Sequence, residues 1–355
     1  MEQSGIYEQL AHRLDSDVVI GAPMAPSLLG ILEVLFPLEE AEIGLVLPFA
    51  PQPLSELKKL YPGREDSLEA MLKTMARRGT VLTVEPAGGE RVYSLLPTLV
   101  GFAETPFWSG KVTEDTKKLS PLWLRYRDEA FAGELARGMP PVRVIPVARS
   151  LKEASEILPF DVIKEKLDTV DYLTVAHCPC RMMMRETGQG CDHSLENCMH
   201  FGTMGRYMVE QGMAREITKD QAIEILHKAD EEGLVHISDN MDGMISTICS
   251  CCGCCCTFLQ SKKRTGLDTY RRSNYVSVVD AEECAACGTC EDRCPVGAVS
   301  VGDDDFSIVN GDLCIGCGVC TPTCKTEAIS LVRREQISPP PTPLELVTAR
   351  REAAG

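Results

Sequence analysis

The stretch CAACGTCEDRCP, residues 284–295, is followed thirty residues later by CIGCGVCTPTCK, residues 314–325. Cys284, Cys287, Cys290 and Cys294 are spaced C-x2-C-x2-C-x3-C, and Cys314, Cys317, Cys320 and Cys324 repeat that spacing. Three thiolates at two-residue gaps on a tight loop can reach three corners of an iron–sulfur cube. A fourth, set after a short helical turn, reaches across to a second cube. The spacing therefore predicts two 4Fe-4S clusters, one on Cys284, Cys287, Cys290 and Cys324, the other on Cys314, Cys317, Cys320 and Cys294. Disulfides and structural zinc are the competing uses of these thiols, but zinc sites favour paired Cys-x2-Cys knuckles over a four-cysteine run.

On these motifs, CAACGTCEDRCPVGAV and CIGCGVCTPTCKTEAI, residues 275–332 resemble a bacterial two-cluster ferredoxin domain. The resemblance implies a ferredoxin-like βαβ repeat that transfers electrons. Lys325 departs from it, because the family usually has a second proline there, as at Pro295. Proline at that place mainly shapes the turn after the last ligand, so its loss bears on local geometry more than on cluster binding.

A chain of 355 residues with 44% apolar content can bury sizeable cores and has room for about two to four domains. No run of about eighteen uncharged apolar residues occurs. The N-terminus, MEQSGIYEQLAHRLD, lacks a basic region followed by an apolar one, so no Sec signal is expected and the expected location is cytoplasmic. Eighteen cysteines then argue for metal ligation, since the cytosol keeps thiols reduced, and so many ligands suggest an anaerobic or low-oxygen host. The net charge of −16 is uneven: residues 275–332 carry ten acids against Arg293 and Lys325. An acidic face there would steer a basic redox partner and repel nucleic acid; keeping a small domain soluble is an equal reading.

Residues 1–100 are expected to form a winged-helix-like helical domain. Ser27 is placed to cap SLLGILEVLF, LEEAEIGLVL stops at Pro48, and PLSELKKLY ends at Pro62-Gly63. REDSLEAMLKTMARRG sets Leu68, Met71, Leu72 and Met75 at helical spacing before Gly79. TVLTVE and RVYSLL flank Ala87-Gly88-Gly89-Glu90 as a hairpin. DNA binding would need a basic recognition helix, but residues 27–100 hold seven bases against ten acids. A structural or protein-docking role fits better, with Arg77 and Arg78 complementing the helix dipole.

Residues 101–176 form a linking region. A helix is expected over Asp115 to Arg137, interrupted near Ser120-Pro121, with VRVIPV and DYLTVA as strands and a short helix around Phe160 to Leu167. The cysteine-rich α/β unit, 177–260, opens with HCPCR. Cys178, Cys180, Cys191 and Cys198, spaced C-x-C-x10-C-x6-C, suit a third iron–sulfur cluster, with zinc or redox-active thiols as alternatives. His177, His193 and His200 read as hydrogen-bonding neighbours of the thiolates. TKDQ at 218–221 is a capping box for the following helix.

Cys249, Cys251, Cys252, Cys254, Cys255 and Cys256 crowd six thiols into eight positions. Side chains alternate along an extended segment, so neighbours such as Cys251 and Cys252 cannot easily grip one cube. The run either completes two sites or ligates one cluster and leaves a thiol pair. With the earlier four it offers ten thiolates, enough for two more 4Fe-4S clusters with two left over. Lys262, Lys263, Arg264, Arg271 and Arg272 read as charge compensation or linker solvation, or else as a site for a phosphate-bearing ligand or acidic partner. Residues 333–355 are a stiff Pro-rich tail with a short helix that docks elsewhere.

Taken together, the chain resembles the "4Fe-4S dicluster domain" proteins of anaerobic bacteria, which join a winged-helix-like N-terminus to blocks like HCPCR and ICSCCGCCC and a two-cluster ferredoxin. The fold expected is an α+β multidomain one. The resemblance implies electron transfer between a redox partner on the acidic ferredoxin face and further clusters, as a subunit of a multi-subunit redox complex. An oxidoreductase with its own cluster or dithiol site at Cys249–Cys256 is the alternative, and an iron–sulfur redox-sensing regulator a second. No nucleotide-binding GxGxxG motif is present.

Overall fold

The structure, a computed structural model, describes residues 2–16, 19–147, 163, 167–241, 245–303, 305–334 and 337–354. Apart from Ile163 and Leu167, the helix expected around Phe160 to Leu167 lies outside the described residues. Helices α1 (Glu2–Leu14), α2 (Pro26–Leu35), α3 (Leu38–Val46), α4 (Leu54–Leu60) and α5 (Glu65–Arg78) come first. Strands β1 (Gln52–Pro53), β2 (Val81–Val84) and β3 (Val92–Leu95) pair antiparallel in the order β1-β3-β2. Ser27 is not the cap of α2. Proline at the first helical position is pre-organised and lacks an N–H to satisfy, so the helix starts at Pro26 and leaves the Ser27 hydroxyl free to donate to Glu129. Helix α5 buries Leu68, Leu72 and Met75 and stops at Gly79, whose φ of 88° gives the left-handed cap.

Helix α6 (Glu114–Tyr126) opens on a reciprocal capping box between Thr113 and Thr116. It runs through Pro121 without the expected break. Leu119, Trp123 and Tyr126 pack a continuous buried face, and the irregularity comes after it, as a widened turn at Arg127–Phe131 leading into α7 (Ala132–Ala136).

Strands β4 (Val142–Ile145), β5 (Leu173–His177), β6 (Glu196–Phe201), β7 (Arg215–Glu216), β8 (Val235–Asp239) and β9 (Thr247–Cys251) form one antiparallel sheet ordered β4-β8-β9-β6-β5-β7. The boundary expected between 176 and 177 falls inside β5, and strands from both sides of it share this sheet. The linking and cysteine-rich stretches are therefore one unit. Its helices are α8 (Pro179–Glu186), α9 (Gly202–Glu210), α10 (Lys219–Glu231) and α11 (Thr257–Thr265). Thr218 and Gln221 make the capping box of α10, which buries Ala222 and Leu226 against Val175, Met199 and Ile248 of the sheet.

The C-terminal module has β10 (Tyr275–Val279), α12 (Thr289–Arg293), β11 (Val299–Val301), β12 (Ser307–Val309) and β13 (Ile329–Arg333), with β10 paired to β13 and β11 to β12. Its internal repeat shows in the backbone. Left-handed residues recur thirty positions apart: Ala286 (φ 50°) and Gly316 (66°), Gly288 and Gly318 (both 73°), Gly297 (66°) and Glu327 (55°). Helix α13 (Pro343–Ala354) turns back onto the middle of the chain, where Arg350 donates to the carbonyls of Met139 (2.6 Å) and Glu134 (2.9 Å). One apolar core runs from Leu10 and Leu28 through Val142 and Val144 to Ile315 and Val319. Among the described residues, no helix is long and apolar enough to cross a membrane.

Candidate metal centres

All eighteen cysteines are free thiols. In the C-terminal module, Cys284, Cys287, Cys290 and Cys324 line one small cavity beside Ser307 and Ile329. Cys324, from the second run, thus stands with three cysteines of the first. Cys294 crosses the other way, near enough to Cys317 and Cys320 for its charge to act on both. The two groups differ in surroundings. Cys287 is exposed, whereas Cys314, Cys317 and Cys320 are buried. Hydrogen bonds from the Ser307 and Ala286 amides hold the Cys284 thiol below its ordinary range, while burial pushes Cys320 up to about 12. Main-chain N–H groups point at sulfur in both: Ser307 at Cys284 (3.4 Å), Ala298 at Cys294 (3.1 Å) and Ser277 at Cys314 (3.5 Å). Such donors favour thiolate over thiol, so these residues fit anionic iron–sulfur clusters. Lys325 leaves the turn intact: Glu327 N–H reaches the Cys324 carbonyl (3.2 Å) as Gly297 N–H reaches that of Cys294 (3.4 Å).

The ten thiols of the middle unit separate into two sets. Strand pairing puts Cys198 opposite Cys249, with their sulfurs 4.0 Å apart. Cys249 and Cys251 sit two apart on β9 and share a face, while the strand ends before Cys252 and turns it elsewhere. Cys178 caps α8, Cys180 lies in its first turn, and Cys256 caps α11. Cys198 and Cys249 are within sulfur hydrogen-bond reach, and Cys249, Cys251, Cys256, Cys180 and Cys178 are near enough in turn for each thiol to shift the next. All six, together with Cys252, line a cavity of about 280 Å³, otherwise walled largely by apolar side chains such as Leu99, Trp123 and Met183. Glu104 also faces it; burial pushes its carboxyl well above the usual range, against the Gly101 N–H that donates to it at 2.8 Å.

The second set is Cys191, Cys252, Cys254 and Cys255, whose sulfurs all lie within 4.8 Å of one another. Arg181, fully buried, donates to the carbonyls of Ser194 and of Ser250 (3.1 Å), and its guanidinium charge acts on Cys178, Cys252 and Cys191. The Cys252 thiol is drawn down to about 4, first by its hydrogen bond with Cys255 and, against burial, by Arg181.

Of the three histidines expected beside thiolates, His200 meets one, while His177 and His193 are held by a carbonyl and a carboxylate. His200 Nε2 is 3.3 Å from Cys198 Sγ, its ring edge-on to Trp108 at 4.9 Å, and burial lowers its pKa to about 4, so the ring is neutral. His177 Nδ1 meets the Trp108 carbonyl (3.3 Å), and His193 lies 3.5 Å from Glu232. Three of the five basic side chains are engaged within the chain: Arg264 pairs with Asp128 (3.1 Å), Lys262 with Asp268, and Arg272 donates to the Asp312 carbonyl (2.9 Å). Arg181 was legible only as a letter in HCPCR, and nothing in the sequence pointed to Glu104.

The module and the middle unit are in direct contact. Arg293 donates to the carbonyls of Val319 (2.9 Å), Asp230 (2.9 Å) and Glu231 (3.3 Å). Tyr270, buried, feels the charges of both Cys256 and Cys317. Compared with known proteins, the chain has no match among curated proteins. Residues 277–300 and 307–330 each match the family described as the 4Fe-4S binding domain, which places two tandem repeats over the two cysteine runs and supports two 4Fe-4S clusters and iron–sulfur electron transfer.

Proposed function

We propose that this protein passes electrons from a redox partner, docked on the acidic face of the C-terminal module, through its two clusters to a further iron–sulfur centre facing the six-thiol cavity. Clusters, when bound, supply one-electron carriers. In this reading Cys284, Cys287, Cys290 and Cys324 hold the outer one, and Cys314, Cys317, Cys320 and Cys294 the inner one. The observation that carries the reading is the shared core: Cys317 packs into the same buried cluster as Cys251, Cys256 and Tyr270. That supports reading the inner site as the one nearer the six thiols, with Cys287 outermost. The first 100 residues act as a winged-helix-like docking element within a multi-subunit complex in the cytoplasm of an anaerobe. Arg78 supports docking over DNA binding, because it is engaged by Glu40 at 3.1 Å.

Iron and acid-labile sulfide content of anaerobically purified protein tests this. About 8 iron atoms per chain would leave only the two module clusters and overturn the third centre, whereas about 12 or more supports it. A second reading, that the protein is itself an oxidoreductase, is favoured by the cavity of about 280 Å³ onto which the six thiols open. Turnover of a small molecule by the isolated chain, given only a chemical reductant, would separate that reading from simple electron carriage.

A further inference from the structure

In the second set four sulfurs are mutually close, a grouping found nowhere else among the described cysteines. Cys191 Sγ is 3.7 Å from Cys252 Sγ and 3.6 Å from Cys255 Sγ, and Cys254 Sγ is 3.7 Å from Cys255 Sγ. Four thiolates bound tetrahedrally to one ion at about 2.3 Å stand about 3.8 Å apart. On a 4Fe-4S cube each thiolate rests on a different iron, so the iron–iron edge separates the thiolates further. The chain supplies its own comparison. Among the described residues, no three of the eight module cysteines, and no three of the six cavity thiols, come within 4.8 Å of one another as these four do. The four are set for one metal atom and the others for something larger.

The surroundings agree. A tetrathiolate around a divalent ion carries two negative charges, and the buried Arg181 guanidinium lies beside Cys252 and Cys191. Cys252 and Cys255 close a small apolar cluster with Met184 of α8 and Ala229 of α10, together with Leu234. Cys191 belongs to the long connection between α8 and β6, and the other three to the turn that leaves β9. A bond network here would pin the two loops to each other beyond the Arg181 bonds to Ser194 and Ser250. Four sulfur ligands in a tetrahedron with no open position are the pattern of structural zinc.

We propose that Cys191, Cys252, Cys254 and Cys255 hold a single structural zinc ion, so that the middle unit's ten thiols divide into a zinc site of four and a cluster-facing group of six. This inference stands whether or not the six thiols carry a cluster.

The test is metal analysis of the full chain, purified without oxygen, as wild type and as Cys254→Ser, the mildest change because Cys254 is the exposed member. Zinc at about one per chain in the wild type, falling to near zero in the variant with iron and sulfide unchanged, is the expected result. Growth with cobalt should give the wild type the visible bands of a tetrahedral cobalt tetrathiolate, lost or weakened in Cys254→Ser; the wild-type bands do not depend on how stable the variant is. Loss of about four irons with their sulfide from the variant would assign a cluster instead and overturn the proposal. One iron lost without sulfide, or a wild type with neither zinc nor cobalt bands, overturns it equally. Electron transfer by the module is measured separately, so failure of the zinc assignment and failure of the electron-transfer reading give different results.

Discussion

Gly253 lies against Pro295: a Cβ on Gly253 would stand 2.3 Å from the Pro295 carbonyl oxygen and 3.0 Å from its Cα. Gly253 interrupts the middle unit's cysteine run, and Pro295 follows Cys294, so the two cysteine-rich regions touch through a residue with no side chain. Gly253→Ala should push them apart. It is expected to lower stability by about 1–3 kcal/mol and to slow reduction of the middle unit by the reduced module. Anaerobic denaturant unfolding and stopped-flow reduction read the two effects, and wild-type values in both would contradict the close approach.

Arg293 fastens the same boundary through three carbonyls, two of them on the middle unit. It is partly exposed, which weakens each bond. Arg293→Ala is expected to remove about 1–2 kcal/mol, since bonds from a charged donor are stronger than neutral ones. The loss should appear as a lower denaturation midpoint with both module clusters still present by EPR.

The crossing of Cys294 and Cys324 between the runs makes a pairing prediction. Cys290→Ser and Cys324→Ser should disturb the same EPR signal of the reduced protein, and Cys294→Ser and Cys314→Ser the other. If Cys290→Ser and Cys294→Ser changed one signal together, each run would be serving a single cluster.

Ala286 and Glu327 occupy left-handed backbone that their repeat partners, Gly316 and Gly297, fill with glycine. A side chain in that conformation costs about 1 kcal/mol, while glycine gives the unfolded chain more freedom. Ala286→Gly and Glu327→Gly should each leave the module equally stable or more stable by up to about 1 kcal/mol. A clear fall in either variant's thermal midpoint would show that its side chain contributes something beyond the turn.

The sequence disclosed most of the regular elements and the module's sites, because both rest on short-range patterns: helical spacing around Leu68 and Leu72, the Thr218 capping box, and two runs whose spacing sets which sulfurs can meet. It also showed that Cys251 and Cys252 would part, since alternation along a strand requires it. It did not show where each would go. That depends on β6 lying beside β9, which sets Cys198 against Cys249, and on the loop that returns Cys191 to Cys252. Sequence distance hides such pairings. The uninterrupted α6 was misread because Pro121 was weighed locally, while the aromatic packing that holds the helix is tertiary. The cavity was not visible at all: its walls come from the N-terminal unit, the sheet and α13 together.

The difference in exposure between Cys287 and the buried Cys314, Cys317 and Cys320 makes the module a fuse. On the proposed electron path, dissolved oxidant would meet the outer cluster first, and its loss would cut a partner off while the inner thiols are still intact. Damage then isolates the interior before it destroys it. Graded exposure to air, followed by EPR, should remove the signal tied to Cys324 before the one tied to Cys314.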